Sequence, residues 1–135
     1  MLQIIFGAKG TGKTKRILEL ANRIAAECKG STVFIDDDNN YMYDLDYSIR
    51  FINASEYGIN GVERFYGFLC GLAASDYDLE YVFVDGFASL VSEDMAAVEE
   101  TVSRLQHYTE LHKIHLVIAV SSSTELPETL KGYVI

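Results

Sequence analysis

Short apolar runs alternate along the chain with longer stretches of helical periodicity. Leu2–Phe6 is an apolar run closed by glycine, which predicts a buried strand. Lys13–Cys28 carries Ile17, Ala21, Ile24 and Cys28 at helical spacing, with Leu18 and Ala25 alongside. Lys29 and Gly30 read as its close: a cation for the negative end of the dipole, then a residue free to turn left-handed. Thr32–Ile35 predicts a second strand, running into the loop signal Asp36-Asp37-Asp38-Asn39-Asn40. Tyr41–Gly61 has no clear period, although Ile49, Phe51 and Ile52 give Ser48–Asn53 the propensity of a short strand.

Val62–Ala74 reads as a helix with Val62, Phe65, Leu69 and Leu72 or Ala73 on one side. Tyr81–Val84 predicts a third buried strand, ending at Asp85-Gly86. Glu93–Leu111 is the clearest amphipathic helix, with Met95, Val98, Val102, Leu105 and Leu111 as its apolar face and acids in its first turns. His115–Val120 predicts a fourth strand, running into Ser121-Ser122-Ser123. A helical turn near Glu125–Leu130 and a terminal strand over Gly132–Ile135 complete the pattern. Strands apolar throughout belong to parallel sheets covered on both faces, and helices between them make right-handed βαβ units. The expected fold class is therefore three-layered α/β.

Composition narrows this further. The 135 residues contain one proline, Pro127, and no repeat or linker, so a single domain over 1–135 is expected. The longest apolar runs, around Val82–Val84 and Leu116–Val120, fall far short of the roughly 20 residues that span a bilayer. Met-Leu-Gln-Ile-Ile-Phe lacks the basic flank and cleavage site of a signal peptide, so the expectation is a cytoplasmic protein without membrane association. A net charge of −9 argues against general nucleic-acid binding. Lys9, Lys13, Lys15, Arg16 and Arg23 nevertheless cluster early in the chain, a basic corner suited to a phosphate ligand. Cys28 and Cys70 lie far apart in apolar surroundings and read as reduced thiols in or near the core. His107, His112 and His115 lack a metal-binding motif and read as surface or packing residues.

The chemistry concentrates in Gly7-Ala8-Lys9-Gly10-Thr11-Gly12-Lys13-Thr14, which matches G-x-x-x-x-G-K-[ST] at every fixed position. A strand delivers the chain to a turn whose backbone N–H groups face an anion. Glycines allow the dihedrals, and the following helix adds its positive end. In such a P-loop the Lys13 ammonium reaches the β- and γ-phosphates of ATP, with GTP as the alternative. Lys15 is a further candidate for binding the nucleotide. The Thr14 hydroxyl is the expected ligand of Mg²⁺, and Asp85, at the end of an apolar strand, is the expected second acid of the metal site. Lys13 and Asp85 are thus the candidate catalytic residues.

Many P-loop ATPases place a water-orienting Glu directly after that acid. Here the residue is Gly86, which counts against rapid hydrolysis. One of Asp36, Asp37 and Asp38 could polarise a water or hold a substrate hydroxyl, or all three could form a solvated turn. Ser121 could sense the γ-phosphate or simply end its strand. Arg50, Arg64 and Arg104 sit in no finger motif. Tyr41, Tyr43, Tyr47 and Tyr57 could stack on a base, form a partner surface, or pack a loop-rich insert. Ser121 as a polar strand end favours the RecA-like order, with the fourth strand between the first and third. A kinase-like order would set the third beside the first.

The chain resembles a family of short P-loop proteins from Firmicutes, described as ATP-binding or as twitching-motility ATPase-like. The likeness rests on Phe6–Thr14, Glu56-Tyr57-Gly58-Ile59, Tyr66-Gly67-Phe68-Leu69-Cys70-Gly71 and Phe83-Val84-Asp85, and spans nearly the full length. It implies cytoplasmic ATP binding on a P-loop NTPase fold and little about a second substrate. A motility motor would need a longer chain with further arginine and histidine motifs. The expected function is a slow or partner-activated Mg-dependent ATPase, with a protein partner or a second copy of the chain as its regulator. The alternatives are a non-hydrolysing nucleotide switch and, third, a small-molecule kinase, for which the chain has few arginines and little length for a lid.

Overall fold

The computed structural model describes residues 1–135. Strands β1 (Leu2–Gly7), β2 (Ser31–Asp36), β3 (Arg50–Asn53), β4 (Leu79–Val84) and β5 (His115–Ser121) alternate with helices α1 (Lys13–Glu27), α2 (Val62–Ser75), α3 (Phe87–Leu90), α4 (Met95–His112) and α5 (Glu128–Lys131). The strands form one sheet in the order β1-β5-β4-β2-β3, and every neighbouring pair is parallel. The fourth strand of the sequence reading, β5, thus lies between the first, β1, and the third, β4, as expected from Ser121. All the strand ends that carry candidate chemistry therefore share one edge of the sheet.

Side chains alternate across the sheet. Ile5, Phe34, Phe83, Val117 and Ala119 face α1, where Ile17, Leu18 and Ala21 close over them. Ile4, Ile35, Val84, Leu116 and Ile118 face the other way, onto Phe65 and Leu69 of α2, Phe87 of α3 and Val98, Val102 and Leu105 of α4. The three-layer α/β expectation holds, with one helix on one face and the remaining helices on the other. No helix is long and apolar enough to cross a membrane.

Several local expectations are corrected. Gly30 does not take the left-handed conformation. Helix α1 ends at the extended residue Cys28, whose N–H bonds the Ile24 carbonyl. Crowding is what requires the glycine, since a Cβ at residue 30 would stand 2.2 Å from the Asp78 carbonyl oxygen. In α4 the acids stand in the second turn, at Glu99 and Glu100, and none occupies the first, where the Asp94 side chain caps the helix by accepting from the Ala96 N–H. Leu111 is exposed, and Tyr108 and Thr109 are the buried residues near the end of the helix, the Tyr108 hydroxyl donating to the Leu69 carbonyl at 2.6 Å. The terminal strand shrinks to a single parallel bridge between Val134 and Ile4. The Ile4 N–H donates to the Tyr133 carbonyl, and the Ile135 N–H donates to the Ile4 carbonyl. Cys28 and Cys70 are free and half-buried, as read from the sequence.

Candidate functional site

β1 ends at Gly7, and the next five residues form a loop that turns the chain into α1. Gly10 and Gly12 take positive φ, 82° and 86°, which a side chain would strain. Gly12 is the residue before the helix and offers no side-chain cap, and the first turn of α1 carries no acid. The N-terminal N–H groups of α1 and its positive dipole end are thereby left to an anion. Lys13 is 8% exposed, and its ammonium donates to the Ala8 carbonyl at 2.7 Å, which folds the side chain over the loop. The Thr11 hydroxyl donates to the same carbonyl at 2.6 Å. Thr11 also crowds Gly7, where a Cβ would meet its Oγ1 at 2.7 Å.

The sheet brings Asp85 to this loop. β5 lies between β1 and β4, with Gly7 in register with Ser121, and Asp85 follows the last residue of β4. The Thr14 hydroxyl donates to Asp85 Oδ2 at 2.8 Å across 71 residues of chain. The other Asp85 oxygen accepts from the Gly86 N–H at 2.9 Å, so the carboxylate is fixed at both ends. A hydroxyl and a carboxylate held together are an oxygen-only donor set, which suits a hard divalent cation such as Mg²⁺.

A cleft of about 850 Å³ opens over these groups. Lys9, Gly10, Gly12, Lys13, Thr14 and Lys15 line it, together with Asp85 and Ser121. Gly7, Ala8 and Thr11 do not line it. Arg16 bonds the Ile135 carbonyl and Arg23 lies away from the cleft, so the basic corner contracts to three lysines. None of Arg50, Arg64 and Arg104 reaches the cleft. Arg64 donates to the Gly58 carbonyl, and Arg104 pairs with Glu63 beneath the Tyr66 ring.

The lining also carries an acidic group. Asp36, Asp37 and Asp38 follow one another off β2, beside Asp85, whose N–H bonds the Ile35 carbonyl. Burial holds the Asp36 carboxyl well above the usual carboxylate range, helped by the adjacent Asp37 carboxyl and the Asp85 charge. The Asp37 carboxylate lies against Gly86: a Cβ at residue 86 would stand 3.0–3.2 Å from its three atoms. The space that a side chain at position 86 would use is thus taken by a carboxylate from the neighbouring strand.

Among the tyrosines only Tyr41 lines the cleft. Tyr43 and Tyr47 are almost fully exposed, which corrects the expectation that this stretch packs, and Tyr57 rests on Phe68. The sequence reading missed Asn22 and Asp44. Asn22 donates to the Asp44 carbonyl at 2.9 Å and accepts from the Asp46 N–H at 2.8 Å, clamping the loop after β2 onto α1. No sequence spacing signals this contact, because the partners come from a helix face and an aperiodic loop.

Fold and site together define an α/β protein with an anion-ready loop and a Thr–carboxylate pair at the carboxyl edge of a parallel sheet. No protein-family model matches the chain, and no curated protein matches it.

Proposed function

We propose that the chain is a P-loop nucleotide-binding protein that takes Mg·ATP in the cleft, and that it is a slow or partner-activated ATPase. GTP is the alternative nucleotide. The observation that carries this reading is the Thr14–Asp85 hydrogen bond of 2.8 Å beside a complete G-x-x-x-x-G-K-[ST] loop. Two residues assigned to one metal from separate motifs lie within bonding distance of each other. The strand order supports the RecA-like form of the P-loop NTPase fold, with β5 between β1 and β4. Lys13 would leave the Ala8 carbonyl for the phosphates, and the loop N–H groups would hold the β-phosphate. Thr14 and Asp85 would hold the magnesium, which neutralises charge on the terminal phosphates.

Slow turnover follows from Gly86, since no Glu stands next to Asp85. The same glycine, with no arginine on the cleft, favours one second reading: a module that binds nucleotide and does not hydrolyse it.

The test is a thermal shift with Mg·ATP and Mg·GTP, run beside phosphate release, on the wild type and Lys13→Ala. Lys13→Ala is expected to fold normally, to lose the nucleotide-dependent shift and to release phosphate at background rate. A wild type that shows no shift with either nucleotide rejects the reading. A shift with background phosphate release leaves the non-hydrolysing module.

A further inference from the structure

The cleft continues well past the residues assigned to phosphate and magnesium. The glycine-rich loop leaves β1, Asp85 follows β4 two strands away, and β2 lies one strand further. At about 4.8 Å per strand, the end of β2 stands roughly 14 Å from β1. Lys15, Leu18 and Asn22 line the cleft from one face of α1, which carries it along the helix for roughly 10 Å. Tyr41 and Asp44 join the lining from the segment that Asn22 ties to α1 through the Asp44 carbonyl and the Asp46 N–H.

The metal pair gives this space a direction. On the nucleotide reading, magnesium at Thr14 and Asp85 draws the terminal phosphate away from β1 and toward the end of β2. The nucleoside, at the other end of the triphosphate, leaves the β2 half of the cleft open. The only cations lining the cleft are Lys9, Lys13 and Lys15, all at the loop end. The β2 half therefore has nothing to balance a second anion. It offers Tyr41 as an aromatic surface, Leu18 as an apolar one, and Asn22 and Asp44 as polar neighbours.

We infer that the β2 half of the cleft is a second-substrate subsite for a small, non-anionic alcohol with a ring, of the nucleoside or sugar class, which receives the terminal phosphoryl group of ATP. The inference rests on the nucleotide reading and names what that site acts on. The alcohol oxygen forms the new bond to the terminal phosphorus, and the bond from that phosphorus to the bridging oxygen breaks. ADP leaves with that electron pair, and the hydroxyl proton passes to the Asp37 carboxylate. Gly86 lets this carboxylate stand beside the residue that follows the metal acid. Water gains nothing from Tyr41 and Leu18, so turnover without the alcohol is slow.

The test incubates the full chain with Mg·ATP labelled on its terminal phosphate and, in separate arms, nucleosides, hexoses and amino sugars. Labelled product is expected in at least one arm and is expected to be absent with Lys13→Ala. The productive arm separates nucleoside from sugar. The same compound should shift the melting temperature of the protein loaded with Mg·ADP, a readout that needs no turnover. Tyr41→Ala is expected to raise the KM for the alcohol by about tenfold, with the Mg·ATP thermal shift as in wild type. Asp37→Asn is expected to lower kcat by about a hundredfold with that KM kept, and melting curves confirm that both variants are folded. A Mg·ATP shift with no labelled product in any arm overturns the inference and leaves the nucleotide reading standing. No Mg·ATP shift rejects the nucleotide reading, and this inference with it. An unchanged KM in Tyr41→Ala, or a weakened Mg·ATP shift in that variant, also overturns the subsite.

Discussion

Gly86 and Asp37 constrain each other. Gly86 sits at φ 70°, in the left-handed region, and the Asp37 carboxylate occupies the space beyond its Cα. A glutamate placed at this position meets two obstacles. Gly86→Glu is expected to destabilise the fold by about 1–3 kcal/mol in urea titrations, through backbone strain and contact with Asp37. Adding Asp37→Ala should recover the contact part, leaving the strain. On the proposed function, phosphate release should rise only in the double variant.

A second residue-scale consequence concerns pH. His115 stacks on Tyr81 with ring centroids 4.6 Å apart, and its Nδ1 is buried without a partner. Burial pulls its pKa below the ordinary value near 6.5, the N-terminal ammonium pulls the same way, and Glu80 opposes. The folded chain then binds fewer protons here than the unfolded chain just below that value. The stability this histidine contributes is present above about pH 6.5 and is lost as pH falls through the folded value. Melting temperatures between pH 7.5 and pH 5.5, with all buffers at equal ionic strength, should fall less steeply for His115→Phe than for wild type.

At the scale of elements, α2 and α4 are joined through Tyr108. Its hydroxyl reaches the Leu69 carbonyl from a fully buried ring, and the ring also meets Tyr66 edge-on at 6.2 Å. Tyr108→Phe keeps the ring and is expected to cost about 1 kcal/mol in urea unfolding. Periodicity named Leu111 for this turn because its apolar character fits the stripe. It did not name Tyr108, because a tyrosine can sit inside only when its hydroxyl finds an acceptor, and that acceptor belongs to another helix. The same limit explains the other misreadings. Gly30 looked like a helix stop, but its role is set by Asp78 and by Glu80, which lies 50 residues further along the chain. What depends on neighbours along the chain was legible, including the strand–helix alternation, the glycine-rich loop and the apolar strand before Asp85.

At the scale of the molecule, the fold class was legible because fully apolar strands leave few ways to cover a sheet. The site was legible only by half. The lysines lie in one continuous motif, and Asp85 could be paired with it because the strand end is conspicuous. The acidic group depended on β2 lying next to β4, which no local pattern dictates. From the sequence, Asp36, Asp37 and Asp38 could therefore be a solvated turn or could act on a water or a substrate hydroxyl, and it is the sheet that sets them against Asp85 and Gly86.

The strand that feeds the glycine-rich loop finds both its neighbours far downstream in the chain. Leu2–Gly7 pairs with Leu116–Ser121 on one side and bridges to Val134 on the other. During synthesis at about 5–20 residues per second, roughly 6–20 seconds separate β1 from its first partner. Over that interval an apolar strand and a finished phosphate motif leave the ribosome with nothing to pair against. The loop can take its shape only once Leu116–Ser121 has been made, so a product truncated before β5 would carry the motif without the site.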